Sequence, residues 1–246
     1  MAALSLLLAA PQASDTAAYL APEQYPDGMA ILPPPPSADS PASALDMAVF
    51  RATRKLQDTP RWRIATDDVT NDPFSRNACA MGVVLDAARA PALARLLHRA
   101  GTGPVVGKVK VAYQVPRPYL REDGPICEAK TAHLASNGDY PSGHTANGWL
   151  EALILAEVMP ERATAILARG RAYGESRAIC GSHSKSAVEA GYMAGASVFA
   201  VLQTSPRYQQ DLAAARQELV RLRSTAPRPD GQRCAAETAA LQVRPW

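Results

Sequence analysis

The chain of 246 residues is long enough to bury one sizeable core, and its composition is 47% apolar but only 6% aromatic, with many alanines and leucines. That balance favours a helical protein over a β-sandwich. A net charge of +3 is mild and no dense basic run occurs, so no nucleic-acid footprint is written in the chain; no segment holds 18 uninterrupted apolar residues, which argues against membrane insertion.

In chain order, the start MAALSLLLAAPQASD is an apolar stretch followed by small residues, and residues 1–13 are predicted to be an export signal, although the usual positive flank is missing. Residues 14–41 form a proline-rich arm in which Pro33–Pro36 should run as extended polyproline on the surface. Residues 42–224 are predicted as one helical domain. ALDMAVFRATRKL opens it as an amphipathic helix; residues 74–100 follow as helix divided at Pro91 and ended by Gly101-Thr-Gly-Pro. Residues 145–159 form the next, with Trp149, Leu150, Leu153 and Ile154 on one face. Pro160 begins another, SAVEAGYMAGASVFAVLQ is a small-residue helix suited to the middle of the domain, and Tyr208, Leu212, Ala215, Leu219 and Leu222 recur at helical spacing in the last. The tail, 225–246, is rich in Pro, Arg and Ala and is predicted to be irregular. Four cysteines (Cys79, Cys127, Cys180, Cys234) allow three full disulfide pairings, and their spacing is too wide for a zinc site.

Three polar clusters interrupt this pattern. KVAYQVPRP places Lys110 and Arg117 seven apart, with prolines stiffening the backbone around the arginine. DYPSGHTANGW sets Ser142, Gly143 and His144 at a helix start, where the first N–H groups form an anion site. SRAICGSHSKSAVEAG carries Arg177 and His183 into a further helix. Taken singly, each has an ordinary structural explanation: solvated cations on a loop, a capping turn, a core histidine. Taken together, they suit phosphoryl transfer: two arginines and a lysine for the equatorial oxygens, N–H donors from Ser142 and Gly143, one histidine to attack and one to protonate the leaving oxygen. That division of labour needs no metal or other cofactor. His98 reads as a helix-surface residue and His133 is unassigned.

In order and spacing, Lys110-x6-Arg117-Pro118, Pro141-Ser142-Gly143-His144 and Ser176-Arg177-x5-His183 resemble the three-part signature of the type 2 phosphatidic acid phosphatase superfamily. The arm, the ALDMAVFRATRKL…TPRWRIATDD segment and the ICGSH flank are most similar to the bacterial class A nonspecific acid phosphatases. The resemblance implies an all-α single-domain bundle of the acid phosphatase and vanadium haloperoxidase type, a soluble periplasmic enzyme acting on small phosphomonoesters without metal, often as a homodimer. It makes His183 the nucleophile that becomes phosphohistidine, His144 the acid, and Lys110, Arg117, Ser142, Gly143 and Arg177 the phosphate holders, with vanadate bound as a mimic.

One position departs from the pattern. The family expects HxxxD, an aspartate one helical turn beyond the nucleophile, and here the run is His183-Ser184-Lys185-Ser186-Ala187. Losing a group that orients a catalytic imidazole costs roughly 10²- to 10⁴-fold. Glu189 would face away along the helix; Ser186, Asp139, Asp123 and Glu175 all stay open as substitutes. The alternative to a phosphatase is therefore a crippled homologue that binds phosphate or phosphoesters without turnover.

Overall fold

The computed structural model describes residues 17–70 and 72–246, so the predicted export signal lies outside the described residues. Every regular element among them is helical. The arm contains a 3-10 turn (Pro22–Gln24) and one short α-helix, α1 (Gly28–Ile31); the domain opens with α2 (Pro41–Arg54), α3 (Pro60–Asp67) and α4 (Pro73–Met81). Their starts share one local rule. Ser40, Thr59 and Asp72 each accept a backbone N–H from the first turn, and each is followed by a proline whose fixed φ and missing N–H suit the first helical position.

Gly82, at φ 73°, ends α4, and α5 (Pro91–His98) begins nine residues further on, so residues 74–100 are two helices with a turn between them rather than one divided at Pro91. No side chain of its own turn caps α5; instead the Glu218 carboxylate accepts Ala92 and Leu93 N–H, both at 3.0 Å, from across the core. Then come α6 (Gly103–Tyr113), α7 (Pro118–Arg121), α8 (Ala132–Ser136), α9 (Gly143–Val158), α10 (Ala163–Ile179), α11 (Lys185–Leu202), α12 (Pro206–Leu222) and α13 (Gly231–Ala240). The last corrects the expected irregular tail: Asp230 caps α13, and Cys234 is bonded to Cys79 on α4. The second disulfide joins Cys127 to Cys180. By loop-closure entropy the two linkages each contribute about 4–5 kcal/mol.

Helix α9 is the axle, packed against both α10 and α11. Leu150, Ile154 and Leu155 of α9 meet Val198 and Leu202 of α11, with Leu93 and Leu96 of α5, Val105 and Val109 of α6 and Leu212 of α12 completing one continuous core. Small residues set how closely these helices approach. A Cβ on Gly195 would lie 2.5 Å from the Ala146 carbonyl oxygen, and one on Gly191 would lie 2.8 Å from that of Ser142. So α11 lies directly on the first turns of α9, which brings two of the polar clusters together. The arm reaches this end through Pro33, whose carbonyl accepts the hydroxyl of the buried Tyr140 at 2.6 Å. Tyr19 lies beyond the far end of α11, where its carbonyl accepts the Ser205 hydroxyl at 3.2 Å and its hydroxyl donates to Asp211 at 2.7 Å.

Replacing Gly195 with alanine should lower stability by about 1–3 kcal/mol through overpacking. Gly107, with nothing within 4 Å of its absent Cβ, should instead gain about 0.5–1 kcal/mol as alanine. Opposite shifts in thermal midpoint for the two variants are the expected result.

Candidate active site

Helix α6 carries Lys110 near its C-terminus, and Gln114, at φ 46°, then turns the chain away. Lys110 is thus a partly buried helical residue rather than a solvated loop cation, and its Nζ donates to the Gly138 carbonyl. Asp139 N–H donates to the Val115 carbonyl at 2.7 Å, clamping the segment before α7 to the segment before α9. Arg117, at the N-cap of α7 and 2% exposed, bridges three stretches of chain. Its Nε donates to Asn137 O at 2.9 Å, its Nη1 to Ser182 O at 2.7 Å, and the same Nη1 stands 3.0 Å from His183 Nε2.

The C-terminal end of α10 builds the other side. Arg177 sits in its last turn, and its carbonyl accepts N–H from both Ser182 and His183 at 3.2 Å, folding the loop back so that His183 hangs beside the arginine. Gly181, at φ 83°, makes the reversal, and Arg54 from α2 packs where a Cβ would stand. The Arg54 guanidinium donates to carbonyls of Ala178, Ile179 and Cys180, placing positive charge on the negative end of α10. Arg177 is fully buried and pairs with Glu128, which also accepts the Ser182 hydroxyl; Arg177 Nε and Nη1 have no hydrogen-bond partner among the described residues.

His183 is 3% exposed, and its two ring nitrogens have opposite surroundings. Nδ1 lies 2.7 Å from the Asp139 carbonyl oxygen and 3.0 Å from its Oδ1, both acceptors, so Nδ1 carries the proton. Nε2 keeps its lone pair and faces Arg117. Burial, then the charges of Arg117, Lys110 and Arg177, holds the imidazolium well below the usual histidine range, so the ring is neutral and nucleophilic. Asp139 is buried, which pushes its carboxyl up to about 6 against the hydroxyl and N–H of Ser184, whose bonds at 2.6 and 3.0 Å favour the ionised form.

His144, second residue of α9, is partly buried and feels Arg177, Glu128 and Arg117; burial first and Arg177 next lower its pKa to about 4. Ser142 caps α9 and accepts the Thr145 hydroxyl at 2.9 Å. Its backbone N–H, expected to face phosphate, is instead engaged by the Ala187 carbonyl at 2.9 Å, because α11 packs so tightly there; its hydroxyl is the donor it retains. Gly143 follows as the first residue of α9, where a Cβ would make only ordinary contact with Val106. His98 on α5 and His133 on α8 are both exposed.

Sequence reasoning missed Glu128, which carries no recognisable spacing and reaches Arg177 through the fold. Of the substitutes for the missing carboxylate, Asp123 is exposed and pairs with Lys130, Glu175 pairs with Arg171, and Ser186 N–H is held by Asp46. Only Asp139 among them contacts His183.

Residues 91–211, which contain all three clusters, match the PAP2 superfamily model. The chain belongs to the PAP2 superfamily. It is 40% identical over 220 residues to an acid phosphatase of Zymomonas mobilis, covering 87% of this chain and 83% of that protein. It is 36% identical over 208 residues to a non-specific acid phosphatase of Salmonella typhimurium (82% and 83% covered), and 34% identical over 215 residues to one from Providencia stuartii (83% and 86%).

The Lys110 ammonium, lowered to about 8 by burial first and by Arg117 next, is fully charged below that pH and is lost as pH rises through it. Inorganic phosphate binding to the free protein should therefore weaken about 10- to 100-fold above pH 8, the worth of one charge-assisted contact. Lys110→Arg should hold affinity to pH 9.5 in isothermal titration.

Proposed function

We propose that the protein is a metal-independent acid phosphatase that hydrolyses small phosphomonoesters through a phosphohistidine on His183. The observation that carries this reading is the His183 ring, neutral and buried, with Nε2 3.0 Å from Arg117 Nη1 and with Arg177 and Lys110 close enough to act on its charge. A phosphoryl group in front of Nε2 would meet three cations, which supply the charge neutralisation otherwise left to a metal ion.

In the first step the Nε2 lone pair forms the P–N bond as the P–O bond to the leaving group breaks. His144 delivers the proton that the leaving oxygen needs. Nδ1 keeps its proton throughout, so the phosphorylated ring bears a positive charge. In the second step water, deprotonated by His144, attacks phosphorus and frees Nε2. An alcohol taking the place of water would receive the phosphoryl group, so the same chemistry supports phosphotransfer. Recognition rests on the phosphate alone, which favours broad specificity. Among the described residues no helix is long and apolar enough to cross a membrane, and two disulfides suit an oxidising compartment such as the periplasm.

The low pKa of His144 gives the pH dependence a direction. Its protonated form becomes more populated as pH falls toward about 4, so alkyl phosphates, whose leaving oxygen must be protonated, should gain from acid more than p-nitrophenyl phosphate does. His144→Ala should slow alkyl phosphates by about 10²- to 10⁴-fold and p-nitrophenyl phosphate far less.

The deciding experiment follows p-nitrophenyl phosphate hydrolysis beside trapping with ³²P-labelled substrate. The parent should take up a label stable to alkali and lost in acid, and His183→Ala should lose the label and about 10⁴-fold or more of the rate. A parent no faster than His183→Ala that still binds phosphate would instead mark a binding homologue.

A further inference from the structure

The aspartate expected at position 187 is absent, and Ala187 is fully buried within the main core. A carboxylate nevertheless reaches the nucleophile. Asp139 Oδ1 lies 3.0 Å from His183 Nδ1 and accepts the Ser184 N–H at 3.0 Å, while Oδ2 accepts the Ser184 hydroxyl at 2.6 Å. The same hydroxyl accepts the Ala187 N–H at 3.1 Å. The Ser184 hydroxyl therefore links the Asp139 carboxylate, from the segment leading into α9, to the backbone N–H of Ala187 in the first turn of α11.

We infer that Asp139 is the positioning residue for His183, a carboxylate supplied from the segment before α9 in place of the one that the HxxxD pattern supplies from the helix after the nucleophile. The inference rests on the phosphatase reading above and deepens it. Oδ1 and the Asp139 carbonyl, both on Nδ1, fix the ring tautomer that exposes Nε2. As the P–N bond forms the ring becomes cationic with its Nδ1 proton still in place, and Oδ1 is the carboxylate oxygen that faces that proton. Ser184 has two tasks: it starts α11 as its N-cap and it holds the Asp139 carboxylate in line with the ring. Asp139 also lies only five residues before His144, so one short segment both orients the nucleophile and presents the acid.

The placement has a consequence for position 187. A carboxylate added there, at the position from which the HxxxD pattern supplies one to the same ring, would compete with Asp139 for His183 Nδ1, and like charge at that spot disfavours ionisation of both. The added group should help only when Asp139 is gone.

The test is steady-state kinetics with p-nitrophenyl phosphate on the parent, Asp139→Asn, Asp139→Ala, Ala187→Asp and the double variant Asp139→Ala/Ala187→Asp, with vanadate inhibition and thermal midpoints measured on each. The isosteric Asp139→Asn keeps the question answerable where Asp139→Ala does not fold. Expected results are a fall in kcat of about 10²- to 10⁴-fold for both Asp139 variants, with KM and vanadate inhibition within about threefold of the parent. Ala187→Asp alone should bring no gain, and the double variant should recover at least tenfold over Asp139→Ala. The inference is overturned by Asp139 variants that keep kcat within threefold, by a tenfold or larger gain in Ala187→Asp alone, or by a folded double variant no faster than Asp139→Ala. A parent that turns over and is matched by its Asp139 variants sinks this inference only; a parent no faster than His183→Ala, with Ala187→Asp equally inert, sinks the phosphatase reading with it.

Discussion

Like charges crowded into a space largely closed to water set the terms for everything around them. Arg117 and Arg177 are buried, Lys110 is partly so, and all three act on the same histidine. Such a cluster survives only with compensation, and the fold supplies it from many directions: carboxylates from Asp139 and Glu128, carbonyls from Asn137, Gly138 and Ser182. Each compensating group also fixes a backbone segment, so the electrostatic requirement and the architecture of the site are one problem. The cations make protonation of His183 unfavourable and thereby leave its Nε2 lone pair unprotonated; an added anion would complete the balance that the protein leaves partly open.

Much of the fold could be read from local chemistry. A Ser, Thr or Asp followed by proline announces where α2, α3, α4 and α12 begin, and the cap bonds are present in each. The small-residue helix belongs in the middle of the domain, as its composition demands, since Gly195 faces α9 backbone and Gly191 faces both the Ser142 carbonyl and the Thr145 side chain. What could not be read are features that depend on distant partners. The start of α5 is capped by Glu218, more than a hundred residues away. The tail after Ser224 becomes helical at Asp230, where a cap and the bond to Cys79 hold it, and neither a Pro- and Arg-rich composition nor a count of cysteines contains that pairing.

The site divides along the same line. Lys110, Arg117, Arg177, His144 and His183 stand out because their residue types are poorly suited to a core at those spacings. Asp139 and Glu128 do not, because a single acid beside a turn is ordinary until the fold shows what it faces. The absence of an aspartate at 187 is legible in the sequence, but which acid meets the ring is not: Asp139 is one of several candidates, and it is held there by its N–H bond to the Val115 carbonyl at 2.7 Å and by Ser184.

The two disulfides are nested. Cys79–Cys234 encloses the sequence that Cys127–Cys180 spans in turn, and Lys110, Arg117, His144, Arg177 and His183 all lie between Cys79 and Cys234. The residues gathered around His183 are thus carried on a covalent ring. A single peptide-bond cut at the exposed residues 129–131 would leave both fragments attached, and a cut after Cys234 would remove at most the last dozen residues. The cross-links thus act as retention of parts after damage as much as stabilisation before it.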